Sequence, residues 1–433
     1  MLIGAVADDI TGATDLCLML VREGLRTVQI IGVPEQGNLP DADAIVIALK
    51  SRSIPAAQAV EMSVAAANLL RAGGAEQLLF KYCSTFDSTD EGNIGPVAEA
   101  LLALTGGDLT VACPSFPAAG RTTYLGHLFV GDALLSDSPL KDHPLNPMHD
   151  ANLVRVLGRQ TALQVGLVTI DTIAQGEAAV RQAFAAQAAA GKRILIVDTL
   201  QDADLRTIGA ACSDMPLVTG GSGIALGLAA NFVRAGKVAP RAAQTRMAAP
   251  QGRAVVLAGS CSVATRGQIA AAQGAGLPTL GLDVDALLSG QQSAASLADW
   301  AMTQPPDGIP LIYSSADPAA LQSIQARLGQ HASGALVETT LAEVARLLQS
   351  AGFSRYLIAG GETSGAVVAA LGVTTLEIGP EIAPGVPWTR SISGPDLVLA
   401  LKSGNFGSDD FFLKAWTLLE TEAADDWRKS LPR

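Results

Sequence analysis

Short apolar runs that empty into glycine- and serine-rich turns, each followed by a helical pattern, recur in this chain and constrain its fold more than any other feature. The clearest run is Tyr356-Leu357-Ile358-Ala359, which leads into Gly360-Gly361-Glu362-Thr363-Ser364-Gly365 and a helical pattern over 366–371. Val255-Val256-Leu257-Ala258 leads likewise into Gly259-Ser260-Cys261-Ser262 and a helix from about Thr265. Leu397-Val398-Leu399-Ala400-Leu401 leads into Lys402-Ser403-Gly404-Asn405-Phe406-Gly407. A strand, a glycine turn and a helix start make a natural phosphate cradle. Glycine lets the backbone approach an anion, the first-turn N–H groups point at it, and the helix dipole favours its charge. Three such strand ends in one half of the chain match one edge of a nucleotide-binding α/β sheet.

The rest of the chain alternates in the same way. Strand patterns lie at 2–7, 27–31, 44–48, 77–80, 110–113, 166–169, 194–197 and 217–219, with helical patterns at 14–22, 56–71, 178–190 and 203–212. This predicts an α/β fold of two domains, each a mainly parallel sheet flanked by helices, with the active site in the interdomain cleft. A length of 433 residues exceeds one ordinary core. The non-alternating stretch 239–253 is the expected linker, dividing a domain over 1–238 from one over 254–433. The proline-containing stretch 114–147 reads as long loops lining a site. Charged residues make up 16% of the chain, against about 25% in typical proteins, which suits buried parallel strands.

A net charge of −12 argues against a nucleic-acid surface or an anionic membrane as partner. It leaves room for a small anionic substrate in a local positive pocket. Five scattered cysteines without a CxxC, and four dispersed histidines, argue against zinc and for reduced thiols. The chain starts directly on a strand pattern and has no apolar stretch long enough for a bilayer, so a cytoplasmic protein is expected. No GxxxxGK[ST] and no GxSxG occurs, which excludes a P-loop kinase and a nucleophile elbow.

The first half holds the side-chain chemistry. Asp8 and Asp9 follow the first strand in Ala7-Asp8-Asp9-Ile10-Thr11-Gly12. One of them is placed to take a proton from a substrate hydroxyl or to hold Mg²⁺; alternatively, Asp9 simply caps the next helix. Arg52 and Lys81 follow two further strands and are expected to clamp a carboxylate, Arg52 bidentately. Around Lys81 stand Tyr82, Cys83 and Ser84, in a donor-rich segment suited to a polyhydroxylated acid. Arg121 is a further anion candidate, and Thr219-Gly220-Gly221-Ser222-Gly223 is a partial dinucleotide fingerprint.

Taken in order, DDITGATD, KYCSTFDST, GNIGP, CPSFPAAGRT, NPM, VTGGSG, GSCS, GGETSG and KSGNFG resemble the four-carbon acid-sugar kinase family over essentially the whole chain. The KYCSTFDST and GGETSG forms look like its 3-oxo-tetronate 4-kinase branch. Threonate- and erythronate-kinase relatives more often carry an acidic residue where Cys83 stands. The resemblance implies ATP-dependent phosphorylation of a C4 hydroxyl, with the product passing to a decarboxylase. It implies a substrate side of Asp9, Arg52, Lys81, Tyr82, Cys83 and Ser84. It implies a nucleotide side of Ser260, Ser262, Gly360, Gly361, Glu362, Thr363, Gly404, Asn405 and Gly407, with Asn405 in a loop that is often Gly-Gly in relatives. ATP and Mg²⁺ are the expected cofactors, with Asp8, Asp9 or Glu362 as metal ligands and one of Asp8 and Asp9, preferably Asp9, as the catalytic base. A homo-oligomer is left open. The competing readings are a threonate or erythronate kinase, a nicotinamide-dependent sugar-acid oxidoreductase, whose GxGxxG spacing is absent, and a non-catalytic sugar-acid sensor.

Overall fold

The computed structural model describes residues 1–34, 39–143, 146–238, 244–314 and 330–420. Residues 239–243 of the expected linker and 144–145 of the expected loop stretch lie outside them. The chain divides into two compact units, Met1–Ala243 and Gln244–Arg433.

The first unit is built on eight parallel strands. Their spatial order is Thr27–Ile31, Ala44–Ala48, Ile3–Ala7, Gln77–Lys81, Leu217–Gly220, Thr110–Cys113, Ile194–Val197 and Val165–Val168. These runs are short, almost wholly apolar and buried on both faces, as strands covered by helices must be. Phe80, Ile45, Ile47, Val97 and Leu101 share one core. Each such side chain contributes about 1.5–3 kcal/mol by leaving water. After the first strand the chain crosses to Thr27–Ile31, fills in Ala44–Ala48 between the two, then returns to place Gln77–Lys81 on the other side of Ile3–Ala7. That reversal puts a topological switch point between Ile3–Ala7 and Gln77–Lys81, where open α/β sheets bind ligands beyond the strand ends.

The second unit repeats the device. Its order is Thr279–Gly281, Leu311–Tyr313, Arg253–Ala258, Phe353–Ala359, Val398–Lys402, Val386–Ser393 and Thr375–Ala383. The first five are parallel, and the reversal falls between Arg253–Ala258 and Phe353–Ala359. The last two form an antiparallel hairpin that joins the sheet antiparallel to Val398–Lys402. The apolar pattern of the sequence predicts a strand over 374–378 only, the front of this hairpin. Its core gathers Val256, Leu357, Trp388, Phe411 and Trp416, with the Trp388 indole donating to the Ala415 carbonyl at 2.8 Å.

Three local differences from the sequence reading have physical causes. The stretch read as loops contains an antiparallel sheet of Arg121–Tyr124, His127–Val130 and Ala133–Leu134. Its first turn places Leu125 and Gly126 at φ 49° and 74°, a conformation for which leucine gives no signal. Asp198, buried beneath the turn, supplies it by accepting from the N–H groups of Leu125 and Gly126 at 2.8 and 2.9 Å. The strand Met247–Ala248 lies inside the segment read as a linker and pairs with Leu419–Glu420. Finally, the helix expected from Thr14 begins at Ile10, because Asp9 caps it. No helix among the described residues is long and apolar enough to cross a membrane.

Candidate functional site

In the first unit, register brings the charged side chains together. Ala7 stands beside both Ala48 and Lys81, so Asp8, the Ser51-Arg52 turn and Lys81 all leave the sheet at one edge. Arg52 lies across both acids. Its Nε and Nη2 donate to Asp8 Oδ2 and Oδ1 at 2.9 and 2.7 Å, and Nη2 also reaches Asp9 Oδ1 at 2.5 Å. Asp9 further accepts from the Thr11 hydroxyl at 2.8 Å and the Gly12 N–H at 3.2 Å. Lys81 is buried, donates to the Tyr82 carbonyl at 2.9 Å, and its Nζ would lie 2.7 Å from a Cβ at Gly12.

The two acids consequently differ. Burial pushes the Asp8 carboxyl up, against the pull of Arg52. Burial acts on Asp9 in the same sense, but the charges of Arg52 and Lys81 and the bonds from Thr11 and Gly12 outweigh it and hold Asp9 below the usual range. Asp9 is also the more accessible, its side chain 21% exposed against 8% for Asp8. The capping alternative for Asp9 is realised; it does not exclude chemistry at the same carboxylate.

Two expectations need correction. Arg52 does not hold out a bidentate fork, because Asp8 already occupies that fork; only Nη1 makes no hydrogen bond among the described residues. Tyr82 does not present its side chain to a ligand. Its ring is fully buried, edge-on to Phe80 and Phe86, and its hydroxyl meets Thr219 Oγ1 at 3.0 Å. Cys83 and Ser84 are part-exposed beside it. Cys83 Sγ lies 2.8 Å from Thr85 Oγ1, which donates to Asp87 at 2.6 Å, and burial pushes the thiol up to about 12. The partial dinucleotide fingerprint proves to be a packing device. A Cβ at Gly220 or Gly221 would lie 2.3 Å from the carbonyl of Cys113 or Pro114. Arg121 turns back onto the Ala119 carbonyl.

In the second unit, the three glycine loops converge. The N–H groups of Gly259 and Ser260 donate to the Ala359 carbonyl at 3.0 and 3.2 Å, and that of Gly360 to the Lys402 carbonyl at 2.8 Å. A Cβ on Gly259 would sit 2.2 Å from Thr363 Oγ1, and one on Gly404 would sit 2.4 Å from Ser260 Oγ. Only glycine allows this approach. Gly360 adopts φ 130°, and the helix Gly361–Ala370 starts immediately after it with no side-chain cap, leaving first-turn N–H groups for an anion. Gly361 and Glu362 are exposed, and Thr363 is buried.

Ser262 is less open than its motif suggests. It caps Val263–Gly274 by accepting from Thr265 N, and it donates to the Gly404 carbonyl at 2.6 Å. Ser260 Oγ accepts from Ser262 N at 3.2 Å. Sequence reasoning passed over Thr265, Gln268 and Lys402, which hold the 403–408 loop from inside. The available signal was a lysine closing an otherwise apolar strand, as Lys81 does in the first unit.

Neither ligand set matches a resident metal centre. Among the described residues no group of three or more His, Cys, Asp or Glu side chains is placed to hold a metal ion.

Residues 3–228 match a sugar-binding N-terminal domain and residues 255–412 a nucleotide-binding C-terminal domain. A Burkholderia multivorans protein named 3-oxo-tetronate kinase is 55% identical, covering 98% of both chains. A Cupriavidus necator protein of the same name is 54% identical over 96% of both. A crystal structure from Salmonella typhimurium LT2 matches with a TM-score of 0.84 at 42% identity, covering 95% of this chain and 98% of that one. On both its domains and its near full-length relatives, the chain belongs to the four-carbon acid-sugar kinase family.

Proposed function

We propose that this protein is a 3-oxo-tetronate 4-kinase, transferring the γ-phosphoryl group of ATP to the C4 hydroxyl of a four-carbon 3-oxo acid. The observation that carries the reading is the near full-length likeness to relatives named 3-oxo-tetronate kinase. The two switch-point sites supply the chemistry for it. The acid binds the first unit, within residues 1–238, and the nucleotide binds the second, within residues 254–433. A cytoplasmic location, where ATP is at hand, belongs to the same proposal.

In this reading Arg52 Nη1 and the Lys81 ammonium meet the substrate carboxylate, with Cys83 and Ser84 alongside. Asp9, ionised and the more accessible acid, accepts the hydrogen bond of the C4 hydroxyl. The hydroxyl oxygen forms a bond to the γ-phosphorus as the bond to the β–γ bridging oxygen breaks. ADP leaves with that electron pair, and the hydroxyl proton passes to Asp9 and on to solvent. The transition state is loose, so positioning and charge stabilisation dominate and a weak base suffices. Gly360 to Thr363 and Ser260 hold the phosphates by N–H and hydroxyl donors.

The residues fit Mg²⁺ as an ion carried by the nucleotide, which needs only one or two protein carboxylates. Glu362, exposed in the first turn after Gly360, is the one we assign to it, because it stands on the loop that holds the phosphates. Held there, the ion would supply charge neutralisation for the transferring phosphoryl group. The product, a 3-oxo acid phosphorylated at C4, is suited to decarboxylation by a following enzyme.

The test is ADP release with ATP and Mg²⁺ on 3-oxo-tetronate, D- and L-threonate and D-erythronate. Turnover restricted to 3-oxo-tetronate is expected. Preference for a threonate or erythronate would move the protein to another branch of the family, and silence on all four would overturn the reading.

A further inference from the structure

Lys402 closes the strand Val398–Lys402, whose other members are Val, Leu, Ala and Leu, and it is fully buried. Its ammonium donates to Thr265 Oγ1 at 3.2 Å and to the carbonyls of Ser403 and Gly404 at 3.0 and 2.8 Å. All three acceptors are neutral. Burial alone acts on this ammonium and pulls it down to about 7. An ammonium taken out of water without a counter-charge is costly to the fold, so a group of this kind marks a place where a ligand brings the missing charge.

The neighbouring loop points the same way. Gln268 is buried, and its Nε2 donates to the carbonyls of Phe406, Gly407 and Ser408 at 3.0, 3.1 and 3.2 Å. The Gly404 carbonyl also accepts from Ser262 Oγ and Thr265 Oγ1 at 2.6 and 3.0 Å. Five carbonyls of the 403–408 segment are therefore drawn inward to buried donors. In a planar trans peptide the following N–H points opposite to its carbonyl. The N–H groups of Gly404, Asn405 and Gly407, which have no partner among the described residues, are thus turned away from the clamp. Successive outward N–H groups form an anion nest.

We infer that Lys402 is the positioning residue of the nucleotide site: with Gln268 it fixes the loop so that its N–H groups face a polyphosphate, and its buried charge takes that polyphosphate as counter-ion. The ligand class is nucleoside di- and triphosphates. Lys402 touches neither the base nor the reacting atoms. The inference rests on the reading of the second unit as the nucleotide site.

The experiment is calorimetric titration of the full-length wild type and Lys402→Met with adenosine, AMP, ADP and ATP. The expected loss in the variant grows with phosphate count, from none for adenosine to about a hundredfold for ATP, with the acid KM unchanged. The variant should unfold at a temperature no lower than wild type, since methionine replaces a buried uncompensated charge. An equal loss for all four ligands, or unchanged ATP affinity, would overturn the inference and leave the nucleotide site standing. Wild type that binds no adenine nucleotide would instead overturn the nucleotide reading, and the inference with it. If Lys402→Met fails to fold, Lys402→Gln gives the same comparison, because its amide still donates to the loop carbonyls without a charge.

Discussion

The two units use one topological device to build sites of opposite electrostatic character. At the switch point of the first, side-chain bonds tie Asp8 and Asp9 to Arg52, and Lys81 acts on both acids through its charge, so two charges of each sign share one edge. At the switch point of the second, the ligand-facing groups are backbone N–H, serine and threonine, and the buried cation Lys402 has no carboxylate partner among the described residues. The pair Lys81 and Lys402 shows the difference most plainly. Each ends a parallel strand in its own unit and each is buried, but only Lys81 has acids in electrostatic reach. A self-neutralised cluster selects a small ligand by the direction of its hydrogen bonds. An uncompensated cation beneath a glycine nest selects for charge. The account therefore expects defects in the two sites to separate cleanly.

The harshest way to break the first site is Arg52→Met. It strands two carboxylates that are mostly buried, and the expected destabilisation is about 3–5 kcal/mol, read from urea unfolding. The expected fall in kcat/KM is about a thousandfold or more. Nucleotide affinity of the remaining folded protein should be that of wild type.

Asp9→Asn sharpens the comparison, because asparagine caps a helix about as well as aspartate but cannot take a proton. Steady-state kinetics should show kcat down by about 10²–10⁴-fold with ATP affinity and fold retained. Activity close to wild type would remove Asp9 from the mechanism.

Gly404→Ala tests the other side. The new methyl group would stand 2.4 Å from Ser260 Oγ. Overpacking of this kind costs about 1–3 kcal/mol, which is roughly a 10–100-fold loss of ATP affinity. The KM for the acid should not move.

The alternation of apolar runs and glycine turns was enough to read the α/β class and the strands that carry both sites. Strand ends are legible because a fully buried parallel strand is apolar until it leaves the sheet, and the first polar residues mark the edge. What happens past the edge was less legible. Arg52 and Tyr82 read as ligand groups by composition, yet side-chain direction depends on register: Asp8 captures the guanidinium, and the phenol turns inward to Thr219. The sheet over 121–134 was hidden because its turn depends on Asp198, some seventy residues downstream. Lys402 and Gln268 were passed over because their partners are carbonyls, which carry no side-chain signature.

Two smaller effects refine the first site. The folded value of Asp9 is depressed, so its contribution to stability is present above its unfolded value of about 3.9 and is lost as pH falls through the folded one. Thermal unfolding between neutral and strongly acid pH should show that acid limb in wild type and a shallower one in Asp9→Asn. Cys83, pushed up to about 12, remains a neutral thiol. Its alkylation by iodoacetamide, followed by peptide mass spectrometry, should be far slower than that of an ordinary cysteine from pH 7 to 9 and should still climb about tenfold per pH unit at pH 9, where an ordinary thiol is levelling off.

The most direct test of the division of labour is parallel titration of wild type, Asp9→Asn and Gly404→Ala with ATP and with 3-oxo-tetronate. The account predicts a double dissociation: Gly404→Ala loses ATP affinity and keeps the acid, while Asp9→Asn keeps ATP affinity and loses its grip on the acid. Loss of both ligands in either folded variant, or the crossed pattern, would contradict it.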